Sequence, residues 1–126
     1  MATRPERKVI AIVEDDVAIR DLICDLLQSE TAFAPVIAPD TAEVLPWLQG
    51  LRPDLVLLDM HLPGTDGLTL YYSLRETPAT AAIPIIFLTA AHDRHLPAHA
   101  RTGVIHKPFD LDVLIEGVTA ALAPGP

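Results

Sequence analysis

The chain has 126 residues, half of them apolar and about a fifth charged, which excludes an intrinsically disordered segment and suits one globular domain. Acidic residues outnumber basic ones 17 to 9, for a formal charge of −8, and no basic run is present that could track a phosphate backbone. Direct nucleic-acid binding is therefore not expected.

The charged opening MATRPERK leads into an apolar run too short for a signal sequence or a membrane span, so a soluble cytoplasmic protein is expected. That run, Val9 to Val13, is rich in branched residues and does not alternate with polar ones. It reads as a strand covered on both faces, and such strands belong to parallel sheets. Ile19, Leu22, Ile23, Leu26 and Leu27 then recur at helical spacing behind Asp16, a candidate N-cap. The single cysteine, Cys24, falls among them; it has no partner for an internal disulfide and is expected to pack in the core, in keeping with a reducing compartment.

A weak second strand spans Pro35 to Ala38, and because proline cannot donate to a ladder it belongs at a sheet edge. The next helix is expected to start at Asp40, with Glu43 three residues on as its capping-box partner and Pro46 as a kink. Leu55 to Leu58 reads as a third buried strand, followed by a helix from near Asp66 through Arg75. Ile85 to Leu88 reads as a fourth strand and Gly103 to His106 as a weak fifth. Leu111, Leu114, Ile115, Val118 and Leu122 mark a last helix with Asp110 as its N-cap. Trp47, Tyr71 and Tyr72 sit singly at helical positions and are expected to pack or half-pack.

An alternating chain of five strand–helix units with the second strand at an edge implies an α/β fold. The expected architecture is a doubly wound five-stranded parallel sheet of order 2-1-3-4-5, flavodoxin-like, and its ligand site lies where the winding reverses, at the carboxyl ends of strands 1 and 3. The first strand runs into Glu14-Asp15-Asp16 and the third into Asp59. Clustered carboxylates repel and call for a counter-ion, and oxygen donors without cysteine favour a hard cation such as Mg²⁺. The fourth strand ends at Thr89 and the fifth at Lys107, so a hydroxyl and an ammonium join the acids. Carboxylate nucleophile, cation, lysine clamp and hydroxyl donor are the parts of a phosphoryl-transfer site. Each has an ordinary reading: Asp16 as a helix cap, a lone Asp or Thr at a strand end as structural. Four such residues at four successive strand ends favour the joint reading.

The pieces IVEDD, LVLLDMHLPGTDG, FLTA and KPF, in this order, resemble the receiver domain of two-component response regulators from Lys8 to Leu122. The resemblance implies one receiver domain over 1–126, with a core at 8–122 and 123–126 as a tail or the start of a linker. It implies that Asp59 accepts a phosphoryl group from a histidine kinase or phosphotransfer protein. The metal ligands for Mg²⁺, or another divalent cation such as Mn²⁺, would be Asp15, Asp59, the His61 main-chain carbonyl and Glu14 through water. Thr89 and the main chain of Ala90 would hold the phosphoryl oxygens and Lys107 would pair with them. Pro108 matches a family proline whose preceding peptide is cis, and Pro63-Gly64 the turn after the acceptor.

Two features depart from that pattern. The stretch between Thr89 and Lys107 is short and carries Pro97, so the fourth helix is expected to be short, broken or absent. Val104 stands three residues before the lysine, where the family usually has an aromatic that moves with the threonine. Both changes fall on the face through which receivers dimerise or engage partners, so a homodimer and an unidentified downstream protein are the assemblies to consider. His92, His95 and His99 have helical spacing, but Pro97 interrupts it and a solvated loop is favoured over a metal site. A phosphorylation-independent interaction module is the main rival. A phosphohydrolase is disfavoured, because His61 stands where a second acid would serve as general acid.

Overall fold

The computed structural model describes residues 7–39, 43–90 and 101–123. Five strands, β1 (Val9–Val13), β2 (Ala34–Ile37), β3 (Leu55–Asp59), β6 (Ile85–Thr89) and β7 (Thr102–His106), form one parallel sheet in the order β2-β1-β3-β6-β7. This is the expected doubly wound order. Between β3 and β6 the chain adds a short antiparallel pair, β4 (His61–Leu62) and β5 (Thr65–Asp66), which the sequence pattern does not announce. β3 and β6 are buried at every residue, as their unbroken apolar runs require of central parallel strands. β2 pairs with β1 alone, so Pro35 does occupy an edge strand.

Four helices cover the described sheet: α1 (Val17–Glu30), α2 (Val44–Leu51), α3 (Gly67–Glu76) and α4 (Leu111–Leu122). Alternation along the strands sends Ile10, Ile12, Leu55, Leu57, Leu88 and Ile105 to one face, where Ile23 and Leu27 of α1 and Leu114 and Val118 of α4 pack on them. Ala11, Val13, Val56, Leu58, Ile85 and Phe87 point the other way, onto Leu48 of α2 and Leu70, Tyr71 and Leu74 of α3. Cys24 is half-buried against the first cluster and Trp47 against the second, while Tyr71 is buried and Tyr72 exposed.

Helix ends follow local chemistry. Asp16 caps α1 by accepting from the Ile19 N–H at 3.1 Å, and Asp66 caps α3 by accepting from the Thr69 N–H at 2.6 Å. The expectations for α2 need correction. α2 begins at Val44, and Glu43 stands at its N-cap position without a side-chain capping bond. Pro46 therefore falls in the first turn, where a missing N–H leaves no helical bond unmade and no kink is required. Asp110 is the N-cap residue of α4, as expected, although its side chain makes no capping bond. Residue 40 lies outside the described residues, as do residues 91–100, which include the expected short fourth helix and His92, His95 and His99.

One long-range tie had no sequence signal. Arg75, near the end of α3, donates from Nη1 to the carbonyls of Ala81 (3.0 Å) and Ile83 (2.7 Å) and from Nη2 to that of Arg101 (3.0 Å). Its guanidinium lies 5.0 Å from the centre of the Tyr71 ring, and the Tyr71 hydroxyl meets Thr102 Oγ1 at 3.0 Å. Together they fasten α3 to the starts of β6 and β7.

Candidate functional site

The sheet register explains why distant residues converge. Val13 is aligned with Leu58, so the next step along each strand sets Glu14 beside Asp59. Asp59 is aligned with Leu88, and Thr89 with His106, so Thr89 and Lys107 arrive at the same edge. The Lys107 N–H donates to the Thr89 carbonyl at 2.6 Å, and the Lys107–Pro108 peptide is cis, as expected.

Glu14 and Asp59 are almost fully buried, at 5% and 4% exposure, while Asp15 is exposed. Lys107 Nζ lies 2.6 Å from Glu14 Oε1 and 3.4 Å from Asp59 Oδ1, neutralising part of this charge. The His61 N–H donates to Asp59 Oδ1 at 3.2 Å, and the Asp16 N–H to Glu14 Oε2 at 3.1 Å. Burial raises the Asp59 carboxyl above its ordinary range, and contact with Glu14 adds to this, against the opposing His61 N–H and Lys107. Burial by itself would lower the Lys107 ammonium, but the contact and charge of Glu14, then those of Asp59, outweigh it and hold it above its ordinary value.

Glu14, Asp15 and Asp59 each turn a carboxylate oxygen to a common point, all within 4.8 Å of one another. The buried Glu14 Oε1 has its ion pair with Lys107 but no aligned hydrogen bond. Three convergent hard oxygens, one with unused acceptor capacity, fit a small divalent cation such as Mg²⁺. The His61 backbone sits beside Asp59 through its N–H, with an exposed side chain. Thr89 is fully buried at the end of β6, and Ala90 follows it, exposed. Val104 is 38% exposed on β7, aligned with Phe87.

Sequence reading assigned Gly67 no role beyond ending the matched piece LVLLDMHLPGTDG. The Gly67 N–H donates to the Met60 carbonyl at 2.8 Å, closing the β4–β5 loop against the end of β3. A Cβ there would meet the Asp59 carbonyl oxygen at 2.3 Å. The available signal was a glycine at the first position of a helix, directly after its Asp66 cap, where a better helix former would normally stand.

The site and fold define a class. The family model of the response regulator receiver domain matches residues 10–119, and the chain belongs to this family. It is 33% identical over 117 residues to the phosphate regulon transcriptional regulatory protein PhoB of Escherichia coli (strain K12), covering 90% of this chain and 51% of that protein. The chain thus spans about half the length, or less, of the curated relatives it matches. Among solved structures it is similar to the signal receiver domain of a signal transduction histidine kinase from Syntrophus aciditrophicus, at 30% identity and a TM-score of 0.80, over 91% of this chain and 89% of that one. A response regulator protein from Burkholderia multivorans aligns at 31% identity and a TM-score of 0.71, over 96% and 99%. Among the described residues no helix is long and apolar enough to cross a membrane.

Proposed function

We propose that this receiver domain, residues 1–126 with its core at 8–122, is a phosphoacceptor switch whose acceptor is Asp59. The observation that carries the reading is the convergence of Asp59 with Glu14, Asp15 and Lys107 at the carboxyl edge of β1, β3 and β7. An Asp59 carboxylate oxygen attacks phosphorus in a phosphohistidine of a histidine kinase or phosphotransfer protein. The P–O bond of an acyl phosphate forms as the P–N bond breaks, and the imidazole nitrogen keeps the electron pair and takes up a proton. Lys107 pairs with the phosphoryl oxygens, and the Thr89 hydroxyl and the main chain of Ala90 donate to them.

Asp15, Asp59, the His61 carbonyl and, through water, Glu14 would hold Mg²⁺ or a similar divalent cation. Bound there, the cation supplies positive charge against the phosphoryl oxygens. The chain catalyses its own phosphorylation and dephosphorylation rather than turning over a separate substrate, and it works in the cytoplasm.

A small acyl-phosphate donor or beryllofluoride with Mg²⁺ should change the Trp47 fluorescence or melting temperature of the wild type and leave Asp59→Asn unchanged. No response, or an equal response in both chains, rejects the reading. The exposed Val104 favours a second one, an interaction module that binds its downstream partner independently of phosphorylation. Partner affinity unchanged by phosphorylation would select it.

A further inference from the structure

We propose that Gly67 is a positioning residue for Asp59: its lack of a side chain lets the start of α3 close on the Asp59–Met60 peptide and so fixes where the acceptor carboxylate stands. This inference rests on the phosphoacceptor reading of Asp59. A Cβ on Gly67 would lie 2.3 Å from the Asp59 carbonyl oxygen, 2.9 Å from Met60 Cα and 3.1 Å from the Asp59 carbonyl carbon. All three are backbone atoms, so no side chain can swing aside to make room. Gly67 is not in the left-handed region; among the described glycines Gly64 (φ 76°) is, and it stands at the loop tip with open space around its Cβ position. The requirement at Gly67 is therefore one of contact distance and not of backbone freedom.

The peptide it touches and the one that follows it are held from several sides. The Met60 N–H donates to the Leu88 carbonyl at 3.2 Å, the Met60 carbonyl accepts from Gly67 N–H at 2.8 Å, and the next N–H, of His61, reaches Asp59 Oδ1 at 3.2 Å. Displacing this peptide by the several tenths of an ångström that a methyl group needs shifts the Asp59 carboxylate relative to Glu14, Asp15 and Lys107. Those three come from or follow other strands and do not shift with it. A small divalent cation held by these carboxylates would tolerate little such error, and misplacement by about 1 Å costs on the order of 10²-fold in rate. The capping bond that Asp66 accepts from the Thr69 N–H and the buried Leu70 and Leu74 anchor α3, so α3 cannot simply back away.

The test compares wild type, Gly67→Ala and Gly67→Ser with Val118→Ala, a core change on the opposite face of the sheet that supplies a loss of stability without touching Asp59. Phosphorylation by a small acyl phosphate and Mg²⁺ affinity by calorimetry are measured at a temperature where circular dichroism shows each chain folded. Both Gly67 variants should lose about 10-fold or more in phosphorylation rate and bind Mg²⁺ more weakly, while Val118→Ala keeps wild-type values. Wild-type rate and Mg²⁺ affinity in folded Gly67→Ala overturn the proposal. So does an equal loss in Val118→Ala, which would make the effect one of stability. A Gly67→Ala chain that is unfolded at every temperature also overturns it, because Gly67 would then be required for folding rather than for placement; Gly67→Ser must agree. A wild type that takes no phosphoryl group rejects the underlying reading of Asp59 instead, and the inference falls with it.

Discussion

Asp59 and Lys107 touch each other, yet they act on stability in opposite directions. The folded state raises the Asp59 carboxyl, so its contribution is favourable at pH below the ordinary carboxylate value of 3.8 and is lost as pH rises through the raised value. Above that raised value the metal-free chain holds Asp59 ionised at a cost, and there Asp59→Asn should melt at a higher temperature than wild type in chelator. Near pH 4 the two melting temperatures should approach one another. Lys107 is raised above 10.5, so its stabilisation is complete at neutral pH and disappears only as alkaline pH passes its folded value. Removing it leaves the buried Glu14 carboxylate without its 2.6 Å partner. Lys107→Ala should cost about 3 kcal/mol in urea unfolding at pH 7, the lower end for a broken buried ion pair, because the site opens to solvent at the sheet edge.

At the scale of elements, α3 does two jobs with its two ends. Its first residue, Gly67, presses on the acceptor strand, and near its last turn Arg75 collects the carbonyls of Ala81, Ile83 and Arg101. Arg75→Ala would strip charged donors from three carbonyls at once, and a loss of about 3 kcal/mol is expected. Hydrogen exchange should show the loosening first at the starts of β6 and β7, not at the site edge. Arg75→Lys should restore little of this, because one ammonium cannot reproduce a planar fork. Strands β1, β3 and β6 were legible from their apolar runs, and α1 and α4 from their periodicity, because burial alone dictates those patterns. The start of α2 was misread because Glu43 at a capping-box spacing and Pro46 nearby are local signals, and the packing of Leu48 and Trp47 decided where the helix lay. The reach of Arg75 was invisible because its partners are backbone carbonyls, which carry no residue signature.

For the molecule as a whole, the convergence of Glu14, Asp15, Asp59, Thr89 and Lys107 at one edge was legible because a parallel sheet delivers every strand's carboxyl end to the same side. Their positions directly after apolar runs carried the information. What could not be read was closeness without chemistry, as at Gly67, where the relevant fact is an absent atom. A cation held by Glu14, Asp15 and Asp59 would bind the folded chain and not the unfolded one. At 100 times its dissociation constant Mg²⁺ should therefore add about 2.7 kcal/mol of stability. Titrating Mg²⁺ while following the melting temperature checks this. Asp15→Asn should blunt the rise.

In the sheet order, β1 and β7 are separated by β3 and β6, yet the ammonium after β7 reaches the carboxylate after β1. The side chain of Lys107 is thus a clasp across the rim, joining the first and last strand–helix units over two intervening strands. Pulled from its ends, the chain cannot peel away its β7–α4 portion without first opening that clasp. Mechanical resistance of the β7–α4 portion should therefore fall when Lys107 is replaced by Ala, and change little with added salt because the pair is buried.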